Sequence, residues 1–504
     1  MKLYTADEMS RADANAQSLG IPGGVLMERA SVGMAREILT RYPARSGLRA
    51  LVVSGGGNNG GDGFVVAREL HRAGVRVSVV ATKEEYSGDP ATNLEVLKNV
   101  GVGIHKPDEL DGLLDGAHLV VDALLGTGFS GEVREKEAAL IRRLNASGVT
   151  TVSVDVPSGV DGSTGEVAGE AVYADLTVCA HAAKVGCVIS PGRGRAGEVA
   201  VVDIGIPPEA DVEPSLSWTD LDAVRGLVPR TEEPAHKYSA GALMVVAGSR
   251  AMTGAAVMSV RGAERAGCGI TFLATSAGAA PAVDVALTET IVYGVDEDES
   301  GGMSPAAAEE ILERSGRASA LVVGPGIGSG DGGRRLVEAV LAGTDVPVLL
   351  DADAVTGLAG SDALARREAP VVITPHAGEL GRLLGSGAEE VSARRLASAR
   401  GAAADNGCCV LLKGSDTLIV GGGRVAVNST GGVSLATAGT GDVLSGVIGA
   451  LLSRGMEPFE AARVGAWAHG RAAERWLGAT GWPAESMVAT DLLDHLPAAV
   501  GELL

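Results

Sequence analysis

Twelve short runs rich in valine, leucine and isoleucine alternate with longer stretches of helical periodicity along this chain, and that alternation admits few folds. Strands buried on both faces read as near-continuous apolar runs, and parallel neighbours need a crossover between them, so the pattern predicts α/β architecture built on parallel sheets. The runs form two series. The first comprises 50–54, 75–80, 119–123, 149–155, 176–180 and 199–204, and the second 243–247, 270–274, 320–323, 346–350, 371–374 and 410–413. Segment 205–215, with three prolines and three acids, separates them and reads as a domain boundary. At 504 residues the chain has room for two such domains with ample cores, expected over 1–214 and 222–504.

The formal charge of −21 is spread over both halves without a basic stripe or tail, which excludes nucleic acid and anionic membrane as natural partners. Five cysteines without CxxC spacing, in a chain too large to need staples, fit a reducing cytoplasmic setting. The start, MKLYTADEMSRADA, is too charged for a signal peptide. Block 431–452 is apolar enough to raise the question of a membrane span, but Asp442 and its many Gly and Ser residues predict a buried loop and helix. No HExxH or Cys/His pattern occurs among the eight histidines, so zinc is not expected.

Three loops in the first half share one design, in which glycines follow a presumed strand end. Residues 51–63 read LVVSGGGNNGGDG, 121–129 read VDALLGTGF, and 154–162 read VDVPSGVDG. Gly55, Gly57 and Gly60 satisfy GxGxxG, yet no acid follows the second strand where a dinucleotide fold would bind ribose, so the redox-cofactor reading loses weight. Asn58, Asn59 and Asp62 could equally serve as turn and cap residues. Ligands of open α/β sheets bind outside the carboxyl ends of strands, and three such loops can converge there.

Together these motifs resemble the epimerase domain of the NAD(P)H-hydrate repair enzymes, over residues 1–214. The resemblance implies a Rossmann-like α/β/α sandwich. It implies that Asn58, Asn59, Gly60, Gly61 and Asp62, with Gly126, Thr127, Gly128, Phe129, Ser130, Gly131 and Glu132, contact the hydrated nicotinamide nucleotide, Asp155 alongside. It also assigns Asn59, Asp122 and Ser158 to potassium, an ion that prefers such oxygen ligands. Inverting the hydroxyl-bearing carbon needs an acid or base in reach, and Asp155 is the best-placed residue of that set.

In the second half, 439–442 read GTGD at the start of a helical pattern, where backbone N–H groups can face one anion. Supporting loops lie at other strand ends: VGPGIG at 323–328, LDAD at 350–353, TPHAGE at 374–379 and LKGSDT at 412–417. There is no GxxxxGK[ST], which excludes a Walker-type site. This constellation resembles the ribokinase-like superfamily and, within it, the ADP/ATP-dependent NAD(P)H-hydrate dehydratases, implying a second, ribokinase-like α/β domain. By resemblance Gly326, His376, Ala377, Gly378, Glu379, Leu380, Gly381 and Arg382 line the hydrated nucleotide. Lys413, Gly414, Ser415, Asp416 and Thr417, with Gly432, Gly439, Thr440 and Gly441, hold the adenine nucleotide with magnesium, and Asp442 is the catalytic base. His376 stands where ribokinase-like kinases carry the Asn of NxxE, and 430–434 read TGGVS where relatives show a Thr-Gly-Asn-Pro-Gly-like run.

The expected partners are thus small molecules, hydrated NADH or NADPH and ADP or ATP, with ADP favoured, in a cytoplasmic homo-oligomer. A ribokinase-like kinase for another hydroxyl compound, joined to a non-catalytic nucleotide-binding or interaction domain, is the rival reading. Retention of Asn59, Asp122, Asp155 and Ser158 weighs against it.

Overall fold

Strands that are apolar along their whole length belong inside a sheet with both faces covered, and the computed structural model places them so. It describes residues 1–44, 47–230, 233, 236–328 and 330–504. The chain divides into two compact units, Met1–Ser217 and Trp218–Leu504.

The first unit opens with β1 (Lys2–Tyr4), α1 (Ala6–Ser18) and α2 (Gly23–Arg41). There follow β2 (Arg49–Ser54), α3 (Asn58–Arg72), β3 (Arg76–Ala81), α4 (Gly88–Asn99), β4 (Gly103–His105), α5 (Leu110–Leu114), β5 (Leu119–Ala123) and α6 (Glu135–Ser147). Strands β6 (Thr151–Val154), β7 (Leu176–Ala180), β8 (Ala183–Lys184) and β9 (Glu198–Val202) complete it. Seven strands form a parallel sheet in the order β4-β3-β2-β5-β6-β7-β9, whose direction of growth reverses between β2 and β5. That switch point opens a crevice at the carboxyl ends of the strands. One face packs Val52, Val79 and Val121 against Met34, Phe64 and Leu70; the other packs Leu51, Val53 and Val120 against Ile141 and Leu144.

Strand β10 (Leu216–Thr219) spans the boundary between the units. The second unit then carries β11 (Ala242–Val246), β12 (Ile270–Ser276), β13 (Ile291–Val295), β14 (Ala320–Val323), β15 (Val348–Leu350), β16 (Val371–Ile373), β17 (Cys409–Leu412), β18 (Leu418–Gly421) and β19 (Arg424–Asn428). They are ordered β13-β12-β11-β14-β15-β16-β17-β18-β19, parallel as far as β17 and antiparallel through the last pair. The apolar block near the C-terminus is the buried helix Thr440–Ser453, followed by Pro458–Thr480, with Trp467 and Trp476 in the core. Among the described residues no helix is long and apolar enough to cross a membrane.

Candidate functional sites

In the first unit the glycine turn leads from β2 straight into α3, which begins at Asn58. A Cβ on Gly55 would lie 1.8 Å from the Leu124 carbonyl oxygen, so only glycine lets the turn pass the β5 loop. A cleft of about 1020 Å³ opens there, lined among others by Asn58, Asn59, Asp62, residues 126–130, Glu132 and Asp155.

Asp155 takes the left-handed conformation (φ 67°), which aims its carboxylate back over the strand ends. Oδ1 accepts from the Ala180 N–H (3.1 Å) and from the Lys184 ammonium (2.6 Å), and Oδ2 accepts from the Thr127 hydroxyl. Lys184 is fully buried, and its other two N–H groups go to the carbonyls of Ala180 (2.8 Å) and Ala182 (3.1 Å). Burial opposes its charge, yet Asp155 holds its pKa above the ordinary lysine value. The sequence carried no local signal for this lysine.

Asp62 faces the cleft and meets Ser31 Oγ at 2.7 Å, while the same Oγ lies 2.8 Å from the Met27 carbonyl. One hydroxyl has one proton. It is shared between the Asp62 carboxyl and the Met27 carbonyl, both of which accept from Ser31 Oγ. Burial pushes the Asp62 carboxyl up to about 7 against the Ser31 hydrogen bond.

Beneath the loops Asp122 is fully buried, and its described partners are all neutral. Ser158 donates from Oγ (2.5 Å) and N (2.9 Å), Ser153 from Oγ (2.8 Å) and Leu124 from N (3.3 Å). Burial raises its pKa against these hydrogen bonds. Asn59 donates to the Leu125 carbonyl at 3.0 Å, and Leu125 donates to Ser158 Oγ at 2.7 Å, so the Leu125 backbone links Asn59 to the Ser158–Asp122 pair. A buried carboxylate among oxygens without a cationic side chain is chemically suited to a monovalent cation.

In the second unit Gly439, at φ 89°, turns the chain into the helix Thr440–Ser453. Only glycine takes that conformation without strain. His469 is buried and bonds the Thr440 carbonyl at 2.9 Å, bracing the turn. Burial lowers its pKa to about 4, so the native imidazole is neutral and Nε2 donates. The unfolded chain takes up a proton below about 6.5 that the native chain refuses, so stability falls as pH drops from there towards 4. The expected loss is about 3 kcal/mol, and His469→Gln should flatten that limb of a pH series of thermal midpoints.

Lys413 lies beside this helix start, bonded to Asp351 Oδ1 (2.8 Å) and 3.7 Å from Glu379; a Cβ on Gly441 would sit 3.5 Å from its Nζ. Ser445 donates to Asp351 Oδ2 at 2.8 Å. Burial, then the charge of Asp351, push the Asp442 carboxyl up to about 7 against the pull of Lys413. His376 and Glu379 form a capping box: the imidazole accepts from Gly378 N–H (2.9 Å) and Glu379 accepts from His376 N–H (2.8 Å). The HxxE spacing therefore also has a purely local use. Arg382 reaches Thr356 (3.3 Å), and Gly326 turns at φ 65° against Met252. Asp416 points inward to Arg395 (3.0 Å), leaving only its backbone for a ligand. Among the described residues no three His, Cys, Asp or Glu side chains cluster as a metal site. Magnesium keeps waters and phosphate oxygens and needs only one or two carboxylates.

A profile of the NAD(P)H-hydrate dehydratase family matches residues 243–498, and one of the YjeF-related protein N-terminus matches 23–186. The bifunctional NAD(P)H-hydrate repair enzyme Nnr of Moorella thermoacetica is 37% identical over 517 residues, covering 100% of this chain and 97% of that protein. The chain belongs to the bifunctional NAD(P)H-hydrate repair enzymes. The Salinibacter ruber member is 39% identical over 99% of this chain and 96% of its own. For the second unit of this repair enzyme, an ADP/ATP-dependent NAD(P)H-hydrate dehydratase from Bacillus subtilis, co-crystallised with ATP and Mg2+, superposes with a TM-score of 0.50 at 30% identity. It covers 57% of this chain and 99% of that one. A ribokinase-like protein of Enterococcus faecalis, 23% identical with a TM-score of 0.50 over 58% of this chain and 98% of its own, shares the fold.

Proposed function

We propose that this chain repairs hydrated NADH and NADPH, with epimerisation of the R and S hydrates in the first unit and dehydration of the S hydrate in the second. The second reaction consumes ADP or ATP and releases AMP or ADP with phosphate. The observation that supports it best is that each unit gathers acid–base groups at the carboxyl ends of its own strands, in a chain aligned end to end with bifunctional relatives.

In the first unit Asp155 is the acid–base residue. Lys184 and the Ala180 N–H fix Oδ1, and Thr127 fixes Oδ2, so a proton moves at a defined place. Asp62, whose carboxyl burial pushes up to about 7, presents a partly protonated group to the ligand near neutral pH. Asn59, Asp122 and Ser158 would hold potassium, which supplies charge compensation to Asp122 when bound.

In the second unit Asp442 takes the proton from the ring hydroxyl as its oxygen attacks the terminal phosphorus of the nucleotide, whose bond to the bridging oxygen breaks with the electron pair going to AMP or ADP. The free N–H groups of the helix start face the transferring phosphoryl group, with Lys413 beside them. Phosphate then leaves with its bonding electrons while the neighbouring carbon gives up a proton, which the departing phosphate takes, and the C–H electron pair forms the double bond that restores the conjugated dihydropyridine. Magnesium, when bound with the nucleotide, neutralises phosphate charge.

The test is to give the chain hydrated NADH with ADP and magnesium and follow absorbance at the reduced-nicotinamide band. Absorbance should return only with nucleotide, while the two epimers interconvert without it. Exchanging potassium for a bulky organic cation at constant ionic strength should slow that interconversion and lower the first unit's thermal midpoint. If neither changes, and Asp122→Asn is indifferent to the exchange, the cluster is structural.

A further inference from the structure

We propose that Asp13, on α1, is a second catalytic residue of the epimerase cleft, the acid whose proton leaves as Asp155 receives one. This rests on the epimerase reading of the first unit. Inversion through loss and return of water needs a proton delivered to the departing oxygen and one removed from the arriving water, on the two faces of the ring. One carboxylate already bonded to an ammonium cannot do both at once.

Asp13 lines the same cleft as Asp62 and Asp155, yet it arrives from a different element, ahead of the region matched by the N-terminal family profile. Asp89, Glu132 and Glu137 also line the cleft but are not among the charges that act on Asp13, whereas the acids that do face it, and those next to it in the chain and fold, are committed. Asp155 is bonded to Lys184, Ala180 and Thr127, and Asp62 is bound to Ser31. Glu8, one turn earlier on α1, is spent on Thr5 and on the Ser215 N–H, and Asp211, beyond the helix, is held by Lys2, Tyr4 and His181. Among the described residues nothing donates a hydrogen bond to Asp13. A half-buried carboxyl in mid-helix with no partner stabilises nothing, because aspartate is a poor interior helix residue and burial without a partner is costly.

The groups that face it electrostatically are Asp155, Asp62 and Lys184. Burial, with the Asp155 charge added and Lys184 opposing, pushes Asp13 up to about 6, so a useful fraction carries a proton near neutral pH.

Protonated Asp13 gives its proton to the ring hydroxyl; the C–O bond breaks and water leaves with that electron pair. The ring nitrogen's lone pair forms the C=N bond. Water then adds to the other face, its oxygen pair forming the new C–O bond while the C=N pair returns to nitrogen, and its surplus proton passes to Asp155. Exchange with solvent through the open cleft restores both groups.

The test uses the full chain without adenine nucleotide, so the second unit is silent, and follows the two epimers of hydrated NADH by chromatography. Asp13→Asn should slow interconversion by at least about 10²-fold. Its thermal midpoint at pH 8 should equal or exceed that of wild type, since an unfavourable charge is gone. Asp13→Glu should recover part of the rate and keep a pH limb near 6 that Asp13→Asn lacks. Near-wild-type interconversion by Asp13→Asn overturns the proposal, as does a lowered midpoint in both variants with no recovery in Asp13→Glu. Failure of wild type itself to interconvert the epimers overturns the epimerase reading instead.

Discussion

Replacing Asp442 with asparagine should cut ADP-dependent recovery of NADH by at least about 10²-fold while leaving epimer interconversion at the wild-type rate. The amide keeps the shape of the helix start and cannot take the hydroxyl proton. With the carboxyl pushed up to about 7, mainly by burial and then by Asp351, wild-type dehydration should fall as pH drops below 7, because the protonated form cannot act as base. A pH series of the dehydration rate checks this. Recovery at a near wild-type rate in Asp442→Asn would contradict the assignment.

The second large effect is expected at Lys184. Changing it to methionine keeps most of the stem and removes the ammonium, leaving Asp155 and two backbone carbonyls without their donor. Removing one partner of a buried pair costs about 3–5 kcal/mol, and for a unit of this size the thermal midpoint should fall by on the order of 10 °C. Because the pair raises the lysine's pKa, its contribution is complete below the ordinary lysine range and fades only as pH rises through the higher native value. Lys184→Met should therefore be destabilised throughout the neutral range, and epimerisation should fall with it. Differential scanning calorimetry at pH 7, beside the epimer assay, measures both.

The central strands of both sheets were readable because burial on two faces leaves an unbroken apolar run, as in ALVV at 320–323. Edges were not. Gly103–His105 is short and incompletely buried, and Ile291–Val295 is largely open on its outer side. The β18–β19 hairpin, absent from the expected strands, turns on Gly422 and Gly423, both at positive φ. Site residues in glycine-containing loops at strand ends, such as Asp122 and Asp155, and Asp442 in the first turn of a helix opened by GTG, stood out locally. Asp13, Ser31, Lys184 and Ser445 did not, because they reach the sites only through tertiary packing. Asp416 sat in a ligand-like motif and proves to be a buried partner of Arg395.

Each site described above is assembled from residues of a single unit, and the units are joined by one polypeptide. Under the proposed function, the two catalysts are therefore always made in equal number, whatever the level of expression. The balance between accumulating and consumed epimers then depends on turnover numbers alone, so a mutation that slows either site cannot be offset by making more of that half without also making more of the other.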